Sequence, residues 1–305
     1  MNSASLTPGR ETTDDPAYLI VNADDYAYFR GVSRGILECV REGIVTATGV
    51  FANSPFLDEH AAWLAAQPNV DTGVHLNLTD RAPLTQQLAG ALDRWNGVFP
   101  GKFAIAKAIL SREIPLDLVR SEWRAQIERC MSMGLHPRFL NSHEHIHMLP
   151  PLYALTLALA DEYGIEHVRH ASPEWPHTWS ASALLRDGIM SILAWLNGYR
   201  MPHPAPIFVG MAQSGRLSPR YLSHLLATLR PGRIYELMCH PGIDAPDEIK
   251  EERLLAYHDW EQERRTLCDP ALKASLAAHN VRLIGYRHLR PTTEGLRATH
   301  EEIGV

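Results

Sequence analysis

The chain has 305 residues, 45% of them hydrophobic and 21% charged, with a formal net charge of -6. That is ordinary composition and enough chain for one large α/β domain whose core needs no disulfide staples. There is no basic stripe, Lys/Arg run or basic amphipathic segment, so neither nucleic acid nor a membrane surface is the expected partner.

Residues 1–16 are polar and rich in Ser, Thr, Asp and Pro, which predicts a disordered tail without an apolar leader. From there to residue 305 no linker or repeat divides the chain, and a single domain is expected. Strand-like and helix-like stretches then alternate. The spacing predicts strands at Tyr18 to Asn22, Ala47 to Phe51, Val70 to Leu76, Arg138 to Ser142 and His167 to His170. Helices are expected between them at Val32 to Glu42, Pro55 to Ala66, Leu116 to Met133 and Leu152 to Tyr163, with Gly43, Gly134 and Gly164 as stops.

Ser172 to Gly210, rich in Pro, Trp and Tyr, reads as an elaborated loop with one short helix. It is either a lid or substrate-binding wall, or a structural excursion. Strands return at Ile207 to Gly210, Arg233 to Met238 and Val281 to Tyr286. Helices are expected at Pro219 to Leu229 and Glu251 to His279. Seven or eight mostly parallel strands with helices between them predict a distorted TIM-like (β/α) barrel, with a doubly wound open sheet as the alternative.

The most apolar stretch, Ile189 to Leu196, is too short to cross a bilayer, and no transmembrane segment is expected. The four cysteines, Cys39, Cys130, Cys239 and Cys268, form no CxxC pair. That argues against a zinc ribbon or disulfide framework and points to the cytoplasm.

Polar groups gather at the predicted strand ends. Asn22, Asp24 and Asp25 close the first strand. His75 and Asn77 close the third, Asn141 to His147 (NSHEHIH) the fourth, and Glu236 and His240 a later one. In a parallel barrel those ends share one face, so residues distant in sequence meet. Adjacent carboxylates at the end of a buried strand repel each other, and a bound cation relieves the cost. Alone, the pair reads more readily as a helix cap and a solvated neighbour. If extended, the two would point to opposite faces.

His75 alone is a weak signal. His143, His145 and His147, at period two, would share one face for as long as the strand persists. Three imidazoles in five residues suit a metal better than they suit packing. His240, aimed by the Pro241-Gly242 turn, could donate a proton or be structural. Together these groups suit one divalent ion with open coordination sites, which acidifies bound water and polarises a carbonyl.

Five stretches carry a resemblance: Leu19 to Asp25 (LIVNADD), Gly43 to Thr48 (GIVTAT), Gly73 to Leu76 (GVHL), Asn141 to His147 and Glu236 to Gly242 (ELMCHPG). In this order the chain resembles the YdjC/ChbG-type carbohydrate deacetylase family, which includes HpnK-like proteins. The resemblance implies a distorted barrel and metal-dependent removal of an N-acetyl group from an amino sugar. It implies Asp25, His75 and His143 as metal ligands, Asp24 as general base and His240 as general acid. Asn22, Asn77, Asn141, His145 and His147 are substrate or supporting candidates.

Two departures stand out. Asn141 occupies a position where that family usually has Asp, and Tyr26 to Arg30 lacks the family's glycine-containing turn. The implied ion is Mg²⁺ first, with Zn²⁺, Mn²⁺ or Co²⁺ as alternatives. The implied partner is a small N-acetylated saccharide or glycolipid. A homodimer is an open option. Two other readings remain: a different metal-dependent hydrolase, such as a binuclear amidohydrolase or a phosphoesterase, and a carbohydrate-binding barrel with an impaired site.

Overall fold

The computed structural model describes residues 15–174, 181–201, 204–292 and 295–299. Residues 1–14 of the expected tail, and 175–180, 202 and 203 of the expected excursion, lie outside these. The chain runs β1 (Ala17–Tyr26), α1 (Arg30–Arg41), β2 (Ala47–Val50), α2 (Leu57–Ala65) and β3 (Asp71–Leu76). Two helices not expected from the sequence follow, α3 (Gln86–Ala91) and α4 (Lys102–Leu110). Then come α5 (Leu116–Ser132), β4 (Phe139–Ser142), α6 (Pro150–Tyr163), β5 (His167–Val168), α7 (Ala181–Gly198), β6 (Ile207–Val209), α8 (Pro219–Thr228) and β7 (Ile234–Cys239). The chain ends with α9 (Glu252–Tyr257), α10 (Trp260–Leu267), α11 (Pro270–Ala278), β8 (Val281–Leu283), and a hairpin of β9 (Leu289–Thr292) and β10 (Gly295–Ala298).

Eight strands form one sheet in the order β5-β4-β3-β2-β1-β7-β6, with β8 also on β1, and every pairing in it is parallel. β7 runs along Tyr18 to Ala23, while β8 pairs with Ala17 to Leu19 and β2 with Asn22 to Tyr26. The two short strands therefore share the other edge of β1. Among the described residues no ladder joins β5 to β6, so the curled sheet is a half-barrel, a distorted form of the expected TIM-like barrel.

β1 is central because its sequence, AYLIVNADDY, is apolar enough to be buried along its whole length. Its alternate residues serve different layers. Leu19, Val21 and Ala23 join the large core beneath the helices. Tyr18 and Ile20 join Phe139, Ile234 and Tyr286 on the opposite face. Each fully buried Leu or Ile contributes about 1.5–3 kcal/mol. Strand period two then puts Asn22 and Asp24, His75, Asn141 and Glu236 on that second face, above its apolar plug.

Three expectations are corrected. β1 continues through Asp24 and Asp25 instead of ending at Asn22. The helix expected from Glu251 to His279 is three helices, because the Asp259 and Asp269 carboxylates accept from the backbone N–H of Gln262 and Ala271 and start new ones. The helix within Ser172 to Gly210 is long, not short. α7 buries Met190, Ala194 and Asn197 and exposes Leu185, Ile189, Ile192 and Trp195. Among the described residues no helix is long and apolar enough to cross a membrane.

α1 is pressed onto the turn after β7. A Cβ added at Gly35 would lie 2.4 Å from Gly242 Cα, and one at Gly31 would lie 2.4 Å from the Ile243 carbonyl oxygen. The two glycines form a groove in α1 that seats the turn bearing His240. Gly35→Ala is therefore expected to lose about 1–2 kcal/mol of stability, because backbone overlap outweighs the helix-propensity gain. Urea denaturation measures it, and an unchanged or raised midpoint would contradict the packing argument.

Candidate active site

Asp24 and Asp25 both face the mouth of the half-barrel, although adjacent strand residues should point apart. The pairing of β1 with β2 shifts register between Ala23 and Tyr26, and Asp25 has φ 71, in the left-handed region. That bulge turns the second carboxylate to the side of the first. The Asp25 Oδ1 atom lies 3.2 Å from His75 Nε2 and 2.9 Å from His143 Nδ1. One donor atom each from Asp25, His75 and His143 lie within 4.8 Å of one another.

The expected single face of three histidines is not what forms. β4 stops at Ser142, and residues 143–148 make a tight helical turn in which Glu144 (φ 52) and His145 (φ 54) are left-handed. The turn separates the imidazoles. His143 reaches Asp25 and is packed against Tyr28 and Phe51, with ring centroids 5.3 and 5.1 Å away. His145 packs edge-on against Phe208. His147 has Ser142 Oγ 2.5 Å from Nδ1 and the Arg169 carbonyl 3.0 Å from Nε2, so both its nitrogens serve the fold. A second metal therefore has no histidine pair to hold it in this turn.

Asn141 links the two halves of the site. Its Oδ1 is 2.8 Å from His75 Nδ1, and its Nδ2 donates to Asp24 Oδ1 at 2.8 Å. Asp24, as a carboxylate, only accepts, so the amide nitrogen must face it and the amide oxygen must face His75. His75 Nδ1 then carries a proton, and Nε2, 3.2 Å from Asp25 Oδ1, is the nitrogen left to face the triad. Asn22 Nδ2 donates a second bond to Asp24 Oδ1 at 2.9 Å. Asn77 belongs to a different structure: it bonds Asn53 Oδ1 and the Asp80 carbonyl and shapes the loop after β3.

Sequence reasoning missed Arg169. Its Nη1 and Nη2 donate to Asp24 at 2.6 and 3.0 Å, and its Nε donates to Glu236 at 2.5 Å. All three side chains are buried. A usable signal was present: an arginine just past a short strand in a sheet buried on both faces needs an anion beside it. Glu236 was visible as a strand-end carboxylate without a role.

His240 lies beyond Asp24. Its backbone N–H donates to Glu263 at 2.5 Å, and its ring is 5.2 Å from that of His258, which stacks on Trp260. Its Nδ1 is buried without a hydrogen-bond partner among the described residues.

The family model described as YdjC-like protein matches residues 18–278. The chain is a member of the YdjC-like family. It is 32% identical to a carbohydrate deacetylase of Geobacillus stearothermophilus over 89% of this chain and 98% of that protein. It is 30% identical to a chitooligosaccharide deacetylase of Klebsiella pneumoniae over 88% of this chain and 98% of the relative. A crystal structure from Enterococcus faecalis V583, provisionally named a cellobiose-phosphate cleavage protein, shares the fold. It has a TM-score of 0.68 and 23% identity, over 89% of this chain and 98% of that one.

The electrostatics of this YdjC-like site follow from burial opposed by pairing. Burial disfavours the Asp24 carboxylate, but Arg169 and the nearby imidazoles outweigh it and hold the group at about 2. Asp25 is buried too, and His143 with His75 keeps it well below the usual carboxylate range. Burial works against charge on His143, yet Asp25 more than offsets this and raises its pKa. Burial, joined by the Asp24 charge, raises Glu236 despite Arg169. His147 falls from 6.5 to about 3 because of its burial.

A cavity of about 340 Å³ lies at the seam by β5, bordered by Met201 and Pro204 to Pro206 from the excursion, with Glu236 and Tyr286 also on its wall. None of Asp24, Asp25, His75 or His143 lines it.

Arg169→Met strands two buried carboxylates and is expected to cost about 3–5 kcal/mol of stability, read by urea denaturation at neutral pH. A loss under about 1 kcal/mol would show that the pair is not desolvated as described. His147 stays neutral in the fold down to about 3, whereas in the unfolded chain it titrates near 6.5. The unfolded chain then binds the extra proton between those values. Stability should fall as pH drops from about 6.5 towards 3. His147→Gln should flatten that slope, and an equal slope in both proteins would refute the assignment.

Proposed function

We propose that this protein is a metal-dependent carbohydrate deacetylase that hydrolyses the N-acetyl group of an amino-sugar substrate. One observation carries the reading: Asp25, His75 and His143 converge beside a second, ionised carboxylate. Family membership and the names of its relatives support the substrate class.

The donor set fits a divalent cation. Arg169 is committed to Asp24 and Glu236, which leaves Asp25 with imidazoles alone. His75 is held in the tautomer that offers Nε2. Asp25, His75 and His143 would hold the ion, and a mixed carboxylate and imidazole set accepts Mg²⁺, Zn²⁺, Mn²⁺ or Co²⁺. When bound, the ion would acidify a water and polarise the acetyl carbonyl.

The chain's own groups supply the rest. Asp24 is ionised throughout the neutral range and accepts the proton of the attacking water through Oδ2, which has one donor against three on Oδ1. Arg169 and Asn22 fix that carboxylate and stop it from rotating away. His240, with Nδ1 unpartnered, gives a proton to the departing amine. The products are acetate and a free amino sugar. His145 stays close to the mouth as a substrate contact, while His147 and Asn77 act through the backbone they hold.

The direct test is acetate release from a panel of N-acetylated oligosaccharides, before and after chelation and with each divalent ion restored. Activity lost with chelator and regained with metal is expected. Asp24→Asn should lower kcat by orders of magnitude while metal binding, measured by calorimetry, persists. Near-normal turnover by that variant would remove Asp24 as the base. Full turnover in the chelated protein would remove the metal.

A further inference from the structure

The four cysteines are separate in sequence, but folding brings two of them into contact. Cys39, near the end of α1, and Cys268, the residue that caps α10, have sulfur atoms 3.4 Å apart. Both are free thiols. The approach depends on Gly43, where a Cβ would stand 2.6 Å from the Leu267 carbonyl oxygen and 2.7 Å from that of Cys39. Cys39 is fully buried, whereas Cys268 is half-buried and is the one that solvent reaches. Cys130 and Cys239 are buried elsewhere in the core.

We propose that Cys39 and Cys268 are a redox pair that a peroxide converts to a disulfide joining α1 to α10. The two sulfurs have unequal character. Contact with Cys39 holds the Cys268 thiol below the ordinary cysteine value, and Arg264 acts in the same direction against burial and Glu38. The same contact, with burial, pushes Cys39 up, so it keeps its proton. Cys268, the sulfur that solvent reaches, is therefore the one a peroxide meets first, and Cys39 is the resolving thiol at its side.

The chemistry balances with the peroxide as oxidant. The Cys268 thiolate attacks one peroxide oxygen, the O–O bond breaks, and the departing hydroxide takes a proton to become water. The sulfenic acid on Cys268 is then attacked by the Cys39 sulfur. The S–O bond breaks, the thiol proton leaves with the hydroxyl as a second water, and the S–S bond forms. Two thiols lose two electrons and the peroxide gains them.

The link would act on the site through α10. That helix carries Trp260, which stacks on His258, and Glu263, which accepts from the backbone of His240. α1 follows the strand that bears Asp24 and Asp25. A bond between the two helices closes a very long loop and restricts the unfolded chain.

The test uses the full-length folded protein and hydrogen peroxide. Intact mass should fall by two hydrogens. Peptide mapping should recover a peptide joining Cys39 to Cys268, with Cys130 and Cys239 unmodified, and a thiol reductant should restore the starting mass. The oxidised protein should melt several degrees above the reduced one. Cys268→Ser, whose fold is checked by circular dichroism, should show neither the link nor the shift. Cys39→Ser should instead accumulate sulfinic acid at Cys268. An unchanged mass, over-oxidation of Cys268 without a link in the wild type, or a link with no rise in melting temperature would each overturn the proposal.

Discussion

A guanidinium with almost no access to solvent holds carboxylates from two strands, and the geometry of the site rests on it. Arg169 meets Asp24 on the central strand with two hydrogen bonds and Glu236 on the adjacent strand with a third. An isolated buried charge of either sign costs several kcal/mol, so none of the three would be stable in place without the others. The pairing also crosses the half-barrel. Arg169 follows β5 at one end of the sheet, while β1 and β7 lie at its middle and towards the other end. The ion pair therefore spans an opening that no backbone ladder closes among the described residues.

With Asp24 fixed in this way, the second carboxylate has to be brought round by the backbone. A left-handed aspartate costs about 1–2 kcal/mol relative to an ordinary strand residue. The sequence accepts the same cost again at Ala27, Glu144 and His145. These four positions flank the mouth on two different elements. Packing makes the cost bearable: Tyr28 stacks on Phe51, both rings pack against His143, and Lys102 pairs with Glu144 at 2.9 Å. Strain that persists against such a cost gathers where groups must be aimed, and here it aims Asp25 and His143 at each other.

Much of the fold was legible because strand and helix periods are local properties. The apolar run at Tyr18, the glycine stops at Gly43, Gly134 and Gly164, and the strand-end polar groups could be read without tertiary knowledge. So could the convergence of strand-end polar groups, once parallel strands were assumed, although only the family resemblance singles out Asp25, His75 and His143 among them. What failed to show were properties of the assembled backbone. The bulge at Asp25 has no glycine to announce it. The turn at Glu144 breaks a pattern that looks like a continuing strand, so His145 and His147 were placed on a face that does not exist. Arg169 was hidden for a different reason: its partners lie 145 and 67 residues away, and only the sheet order brings them near. The contact between Cys39 and Cys268 is illegible for the same cause.

The sheet order also gives meaning to the amide at position 141. Asn141 pairs with His75 across the β3–β4 ladder and reaches Asp24 beyond it. Its two ends carry opposite requirements, since His75 Nδ1–H needs an acceptor and Asp24 needs a donor. An asparagine meets both without charge. An ionised aspartate would meet the first and set a second negative charge against Asp24, where unit charges 4 Å apart repel by about 4 kcal/mol at an effective dielectric of 20. It could remain only by taking a proton or by moving Arg169 between the two. With asparagine, Arg169 stays divided between Asp24 and Glu236, and Asp25 is left as the carboxylate with no cationic side chain except the imidazoles. Asparagine at this position thus leaves the negative charge on the residue that meets His75 and His143.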